Sequence, residues 1–228
     1  MKYIDKRYKE PEELAEYRET TPDATYEGFN EKGVVRKSLC EEQGYICAYC
    51  MGKIEKDNST IEHYISQRWH TNSKFSAEEH RVQSLLYSNM CGVCVNDAEH
   101  CDKHRGNEPL EILNPHDSSC QQLITYNLQG EIIPNGKNNQ QNNQVEKDIK
   151  TLNLNCEKLK KARNASWDEV WKRFKEEHKK ETWTKKLFKS YAERYLQRTT
   201  KKGVSRFHAY CNYIVWYFYH YSESNRYK

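Results

Sequence analysis

Two Cys-x-x-Cys steps, Cys47-Ala-Tyr-Cys50 and Cys91-Gly-Val-Cys94, stand 40 residues apart, and Cys101 follows closely. Each step is a tight turn that lets two thiolates reach one ion, and a structural zinc takes four such ligands in a tetrahedron. The start of the chain, Met1-Lys-Tyr-Ile-Asp-Lys6, has neither the apolar segment nor the small-residue cleavage site of an export signal. Nine cysteines in such a chain read as reduced, and clustered ones as metal ligands rather than disulfides. Cys40, Cys120, Cys156 and Cys211 stand alone and read as small buried or half-buried thiols. The stretch 45–110 has few large apolar residues to bury. Zinc binding, roughly 10 kcal/mol or more in small metallo-domains, is expected to hold it together. Spacing alone selects Cys91 and Cys94 as the second pair. Four thiolates leave no open position, so any chemistry lies elsewhere.

Net charge is only +4, but it is segregated: residues 156–228 carry 19 Lys and Arg against 8 Asp and Glu. The remainder is net acidic, so the C-terminal part alone asks for a polyanionic partner or a solvated basic face. No run approaches 18 apolar residues, which excludes a membrane-spanning helix and gives a soluble, cytoplasmic expectation.

The pattern divides the chain into four stretches. Residues 1–44 read as a helical segment, with Pro11 opening one helix and Val34–Gln43 forming another. Residues 45–133 form the zinc-braced core, followed by a hairpin turning at Asn127–Gly130. The run 134–144, rich in Asn and Gln, reads as a polar loop. Residues 145–228 are helical, basic and aromatic. The stripe Phe207–Tyr221 reads as core or as a docking surface for a partner.

Between the cysteine pairs lies Ile61-Glu62-His63-Tyr64. Adjacent residues on a strand face opposite ways unless the strand ends there. At a strand end, a carboxylate can hold a metal while the imidazole approaches a water. Ser88-Asn89 and Cys101-Asp-Lys-His104-Arg105-Gly-Asn107 follow, rich in metal ligands and phosphate binders.

The order Cys-x-x-Cys, Glu-His, Asn, Cys, Lys-His-Arg-Gly over residues 47–107 resembles the HNH (His-Me finger) endonucleases. The neighbouring Ile-Cys-Ala-Tyr-Cys, His-Cys-Asp-Lys and Ile-Leu-Asn-Pro segments look like the HNH (PtuB-like) subunits of Septu and retron-associated anti-phage systems. The resemblance covers about residues 40–165 and implies an α+β fold. In it, a zinc-stapled ββα-metal core is wrapped by N- and C-terminal helices and is mostly helical by residue count. It makes His63 the general base, Asn89 the residue orienting its imidazole, and Glu62 and His104 the ligands of a catalytic Mg²⁺ or Mn²⁺. It places the structural Zn²⁺ on Cys47, Cys50, Cys94 and Cys101, against the spacing argument for Cys91. Arg105 is a candidate phosphate binder, or a solvated helix charge. Where the family commonly has Pro three residues after the base, this chain has Ser66. The implied partners are a nucleic acid substrate, an ABC/SMC-type (PtuA-like) ATPase and, in the retron branch, a reverse transcriptase with its msDNA. The chain itself has no Gly-x-x-x-x-Gly-Lys-Ser/Thr loop. DNA is favoured as substrate. RNA, including tRNA, and a non-catalytic zinc-ribbon adaptor are the alternatives.

Overall fold

The computed structural model describes residues 1–6, 9–69, 73–96 and 99–224. Its centre is a two-stranded antiparallel hairpin, β1 (Ser59–His63) on β2 (Met90–Cys94), with Glu62 opposite Cys91 and His63 opposite Met90. Thr60, Ile61 and Val93 supply the β-branched residues that suit a pleated, buried surface. Side chains alternate across this ribbon, and a separate core lies on each side. Ile61 and Met90 join Leu14, Phe29, Val35, Leu39 and Tyr87 in a smaller core beneath α1 (Glu12–Thr20) and α2 (Lys32–Glu42). Cys91 and Val93 join the larger core, which contains the cysteine cluster and the C-terminal helices.

Gln43, just past α2, pins the two halves of the cysteine motif together. Its amide donates to Ile46 O (2.9 Å) and Gly92 O (2.8 Å), and its oxygen accepts from Gly92 N (2.6 Å). A Cβ at Gly92 would meet the Ile54 side chain at 3.2 Å and the Gln43 amide oxygen at 3.4 Å, so glycine permits this approach. The knuckle itself closes through Cys47 N to Gly52 O and Met51 N to Cys47 O.

After β2 come the one-turn helix α4 (Asp102–Arg105) and the hairpin β3 (Ile124–Tyr126) with β4 (Ile132–Pro134), as the Asn127–Gly130 turn implied. α3 (Ala77–Ser84) lies in the excursion between β1 and β2, opened by a Ser76/Glu79 capping box.

One reading of the sequence is corrected. The run 134–144 is not all loop: Asn138 accepts from Gln141 N (2.9 Å), which caps α5 (Asn139–Thr151). Composition concealed the helix, because its first turns are polar on every face. Of the two readings of the Phe207–Tyr221 stripe, the structure supports core. The stripe contributes α8 (Cys211–Glu223), whose Tyr213, Ile214, Val215, Tyr217 and Phe218 are buried. Trp167 of α6 (Glu157–Glu177) stacks on Tyr217 at 4.3 Å, and Phe174 meets Tyr191 of α7 (Lys185–Leu196) edge-on at 4.8 Å.

Between α7 and α8 the chain makes an unanticipated hairpin, β5 (Thr199–Lys201) with β6 (Val204–Arg206). Its turn residues, Lys202 and Gly203, have φ of 49° and 77°, the paired positive values of a type I′ turn.

Candidate metal centre and active site

The Sγ atoms of Cys47, Cys50, Cys94 and Cys101 lie within 4.8 Å of one another. Cys50 and Cys94 are separated by 3.8 Å, Cys47 and Cys101 by 3.9 Å. Four sulfurs about 2.3 Å from a tetrahedral zinc would sit about 3.8 Å apart. The donor set fits a thiophilic structural ion. His100 lies with Nδ1 3.2 Å from Cys101 Sγ, and Gly52 N donates to Cys50 Sγ at 3.3 Å. These are the N–H contacts that a thiolate site uses to orient its ligands.

Cys91 lies outside this cluster. Cys91 and Cys94 are three apart on an extended strand and so take opposite faces, whereas a knuckle would bring them together. The spacing argument for Cys91 is thereby corrected, and Cys101 fills the fourth position.

Glu62 points to the larger core and is 6% exposed. Tyr49 OH donates to its Oε1 at 3.0 Å, and Arg105 reaches the same oxygen at 2.5 Å. Burial pushes Glu62 up to about 8. Arg105 pulls it back, and the neighbouring Asp102 carboxyl adds to the rise. Two carboxyls therefore face each other here, from β1 and from the first turn of α4.

His63 points the other way, packed edge-on against Tyr26 at 4.5 Å. Its Nε2 lies 2.9 Å from Ser84 O. A carbonyl only accepts, so this nitrogen carries the hydrogen. Nδ1 keeps its lone pair and accepts from Gln67 Nε2 at 2.9 Å. Burial pushes His63 down to about 4, so the ring is neutral at physiological pH.

Three sequence assignments change. His104 is exposed and places Nδ1 3.0 Å from Thr151 O. It stands two residues from Asp102 on a helix, hence on another face, whereas Arg105 at three residues shares the face of Asp102. Asp102, which the sequence reading passed over, is the α4 side chain that meets Glu62, and His104 is not. The i, i+3 relation to Arg105 was the available signal.

Arg105 is no phosphate binder here. At 3% exposure it serves Glu62, Tyr49 OH (2.9 Å), Tyr64 O (2.7 Å) and Glu108 O (2.7 Å). Asn89 does not touch the imidazole. Its amide accepts from Ile65 N (2.8 Å) and donates to Ile65 O and Gln83 O (both 3.0 Å), holding the loop that leaves β1. Ser84 and Gln67 orient the ring instead.

The chain is similar to the Retron Ec83 putative HNH endonuclease of Escherichia coli. The two are 27% identical over 204 residues, spanning 72% of this chain and 78% of that one. That likeness supports a nuclease of HNH type. No family model matches the chain. No helix among the described residues is long and apolar enough to cross a membrane.

Beside the site, burial pushes His116 down to about 3, and its Nε2 is buried without a partner. The folded value lies below the ordinary 6.5, so the stability it lends is full above pH 6.5 and lost as pH falls toward 3. His116→Gln, which cannot titrate, should flatten the loss of stability between pH 7 and 4 by up to about 1.4 kcal/mol per unit. Urea denaturation of both proteins across that range checks it; parallel curves would refute it.

Proposed function

We propose that this chain is a metal-dependent endonuclease of HNH type. The observation that carries the reading is the β1–β2–α4 unit, in which the Glu62 and Asp102 carboxyls lie together and a neutral His63 follows Glu62 at the end of β1, facing the other way. Two carboxylate donors suit a hard divalent ion such as Mg²⁺ or Mn²⁺. Bound there, the ion would supply charge for the scissile phosphate and the leaving oxygen. Glu62 is held for this by Tyr49 and Arg105, which take one oxygen. Ser84 O fixes the His63 tautomer so that Nδ1 can take a proton from water once Gln67 moves aside. Cys47, Cys50, Cys94 and Cys101 hold a structural Zn²⁺ and stay out of the chemistry.

The biological setting extends the same proposal. The chain acts on nucleic acid, DNA being favoured over RNA or tRNA, as the effector of an anti-phage defence complex. Its companion is an ABC/SMC-type (PtuA-like) ATPase, and a retron reverse transcriptase with its msDNA belongs to the same assembly. The sequence resemblance and the retron-named relative support this setting.

The test co-expresses the chain with an adjacent ATPase, wild type beside His63→Ala, and sequences all broken DNA and RNA ends after phage infection. Fragments dependent on His63 are expected, with at least about a hundredfold loss in the variant. Their absence from both pools would leave the zinc-adaptor reading. In the same assay Asp102→Asn should lose more than about tenfold, and His104→Ala should stay within about threefold of wild type. The reverse order would restore His104 as the ligand.

A further inference from the structure

A cleft of about 440 Å³ opens between α6, α7 and the β5–β6 hairpin, and nothing in the proposed chemistry uses it. Its wall carries Arg173, Arg194, Lys201 and Arg206 against one carboxylate, Glu177. Arg206 is committed to Glu55, but Arg173 is paired, among the described residues, with Glu169 on its own exposed helix face. Arg194 lies over the Tyr191 ring at 4.6 Å and is loosely paired with Glu177 at 3.8 Å, a contact that a phosphate would displace. The half-buried Tyr195 lines the same wall, with His208 edge-on to it at 5.2 Å.

The hairpin beside the cleft adds a second, independent observation. A type I′ turn favours Asn-Gly, and a lysine with positive φ is strained. This turn nevertheless presents Lys201-Lys202-Gly203, with both lysines exposed and in no ion pair among the described residues. The fold tolerates a poor turn residue and gains a charged tip.

We infer that this cleft and hairpin tip hold single-stranded nucleic acid, with backbone phosphates on Arg173, Arg194, Lys201 and Lys202 and a base against Tyr195. Cations tracking a backbone beside an aromatic face are the general means of binding a single strand. The cleft is at the lower end of small-ligand sites in volume, so it admits nucleotide units and is too narrow for a duplex. It is also tied to the cysteine core: Phe207 N donates to Gly44 O (2.9 Å) and Tyr210 N to Met51 O (3.0 Å). A strand held here is therefore held in fixed relation to the metal-braced hairpin. The inference deepens the nuclease proposal and rests on it for its purpose, but not for its measurement.

The test is fluorescence anisotropy of a labelled oligothymidylate, an oligouridylate and a DNA duplex, without added divalent ion, at several salt concentrations. Arg173→Glu/Lys201→Glu/Lys202→Glu is compared with wild type and with Lys179→Glu/Lys180→Glu, a charge reversal on another exposed turn. Retained metal content and circular dichroism show that each variant folds. The cleft variant should bind single strands at least about tenfold more weakly, with a salt slope reduced by about 2, while the control keeps most of its affinity. Equal loss in both variants, unchanged binding in the cleft variant, or tighter binding of duplex than of single strands would each overturn the inference. Normal binding without His63-dependent cleavage would instead fail the nuclease proposal. Lost cleft binding has no bearing on whether His63 cuts.

Discussion

Removing the ion from the four-cysteine cluster should unfold the core rather than merely weaken it. The sulfurs of Cys47 and Cys101 belong to residues at most 1% exposed, and the same cluster packs against the buried knuckle residues Tyr49 and Met51. Zinc binding in small metallo-domains is worth roughly 10–16 kcal/mol, comparable to the entire stability of an ordinary domain, about 5–15 kcal/mol. Cys47→Ser and Cys101→Ser are therefore expected to yield little soluble folded protein. A strong chelator should abolish the cooperative thermal transition of the wild type and release zinc at one equivalent per chain. Cys91→Ser separates ligation from burial: it should keep the metal while losing some stability, because Cys91 is buried but outside the cluster. A Cys47→Ser protein that melts like the wild type would remove the metal from the fold altogether.

The second large effect concerns the ion pair beneath β1. Arg105→Met should cost about 3–5 kcal/mol, because it leaves the buried Glu62 carboxyl, Tyr49 OH and the carbonyls of Tyr64 and Glu108 without their donor. The double change Arg105→Met/Glu62→Gln removes both charges and should recover much of that loss, so the coupling between the two sites is strongly non-additive. Chemical denaturation of the four proteins in the cycle measures it. A phosphate-binding arginine would behave differently, leaving stability nearly unchanged and impairing only nucleic acid contact. Additive or negligible losses would therefore return Arg105 to that role.

The parts of this site that sequence exposes are those governed by local spacing. Cys47-x-x-Cys50 is a knuckle in the chain and in space, and Asn127–Gly130 turns a hairpin as its residues imply. The errors come from periodicity changing along the motif. Cys91-x-x-Cys94 has the spacing of a knuckle but occupies a strand, where three residues carry a side chain to the opposite face. His104 looks like a ligand by residue type, yet on α4 the helical repeat gives that face to Asp102 and Arg105. The aromatic stripe near the C terminus was legible as core or docking surface, but what covers it was not. Its cover comes from Trp167 and Phe174, which meet Tyr217 and Phe218 from 50 and 44 residues away in sequence. Gln67 carried no signal at all, since only the fold shows that it meets Nδ1 of His63.

The hairpin wall between the two cores carries a further consequence. With a side-chain period of two, sliding β1 by one residue along β2 would move Glu62 to the face of the smaller core and His63 to the face of the larger one. Five paired residues are a short ladder to prevent that slip, and hydrogen bonds alone repeat at every step. The ligand Cys94 sits at one end of the ladder, opposite Ser59, while His63 sits at the other, opposite Met90. An ion bound by the four cysteines would thus index the strand: it would mark the zero from which the positions of carboxylate and imidazole are counted.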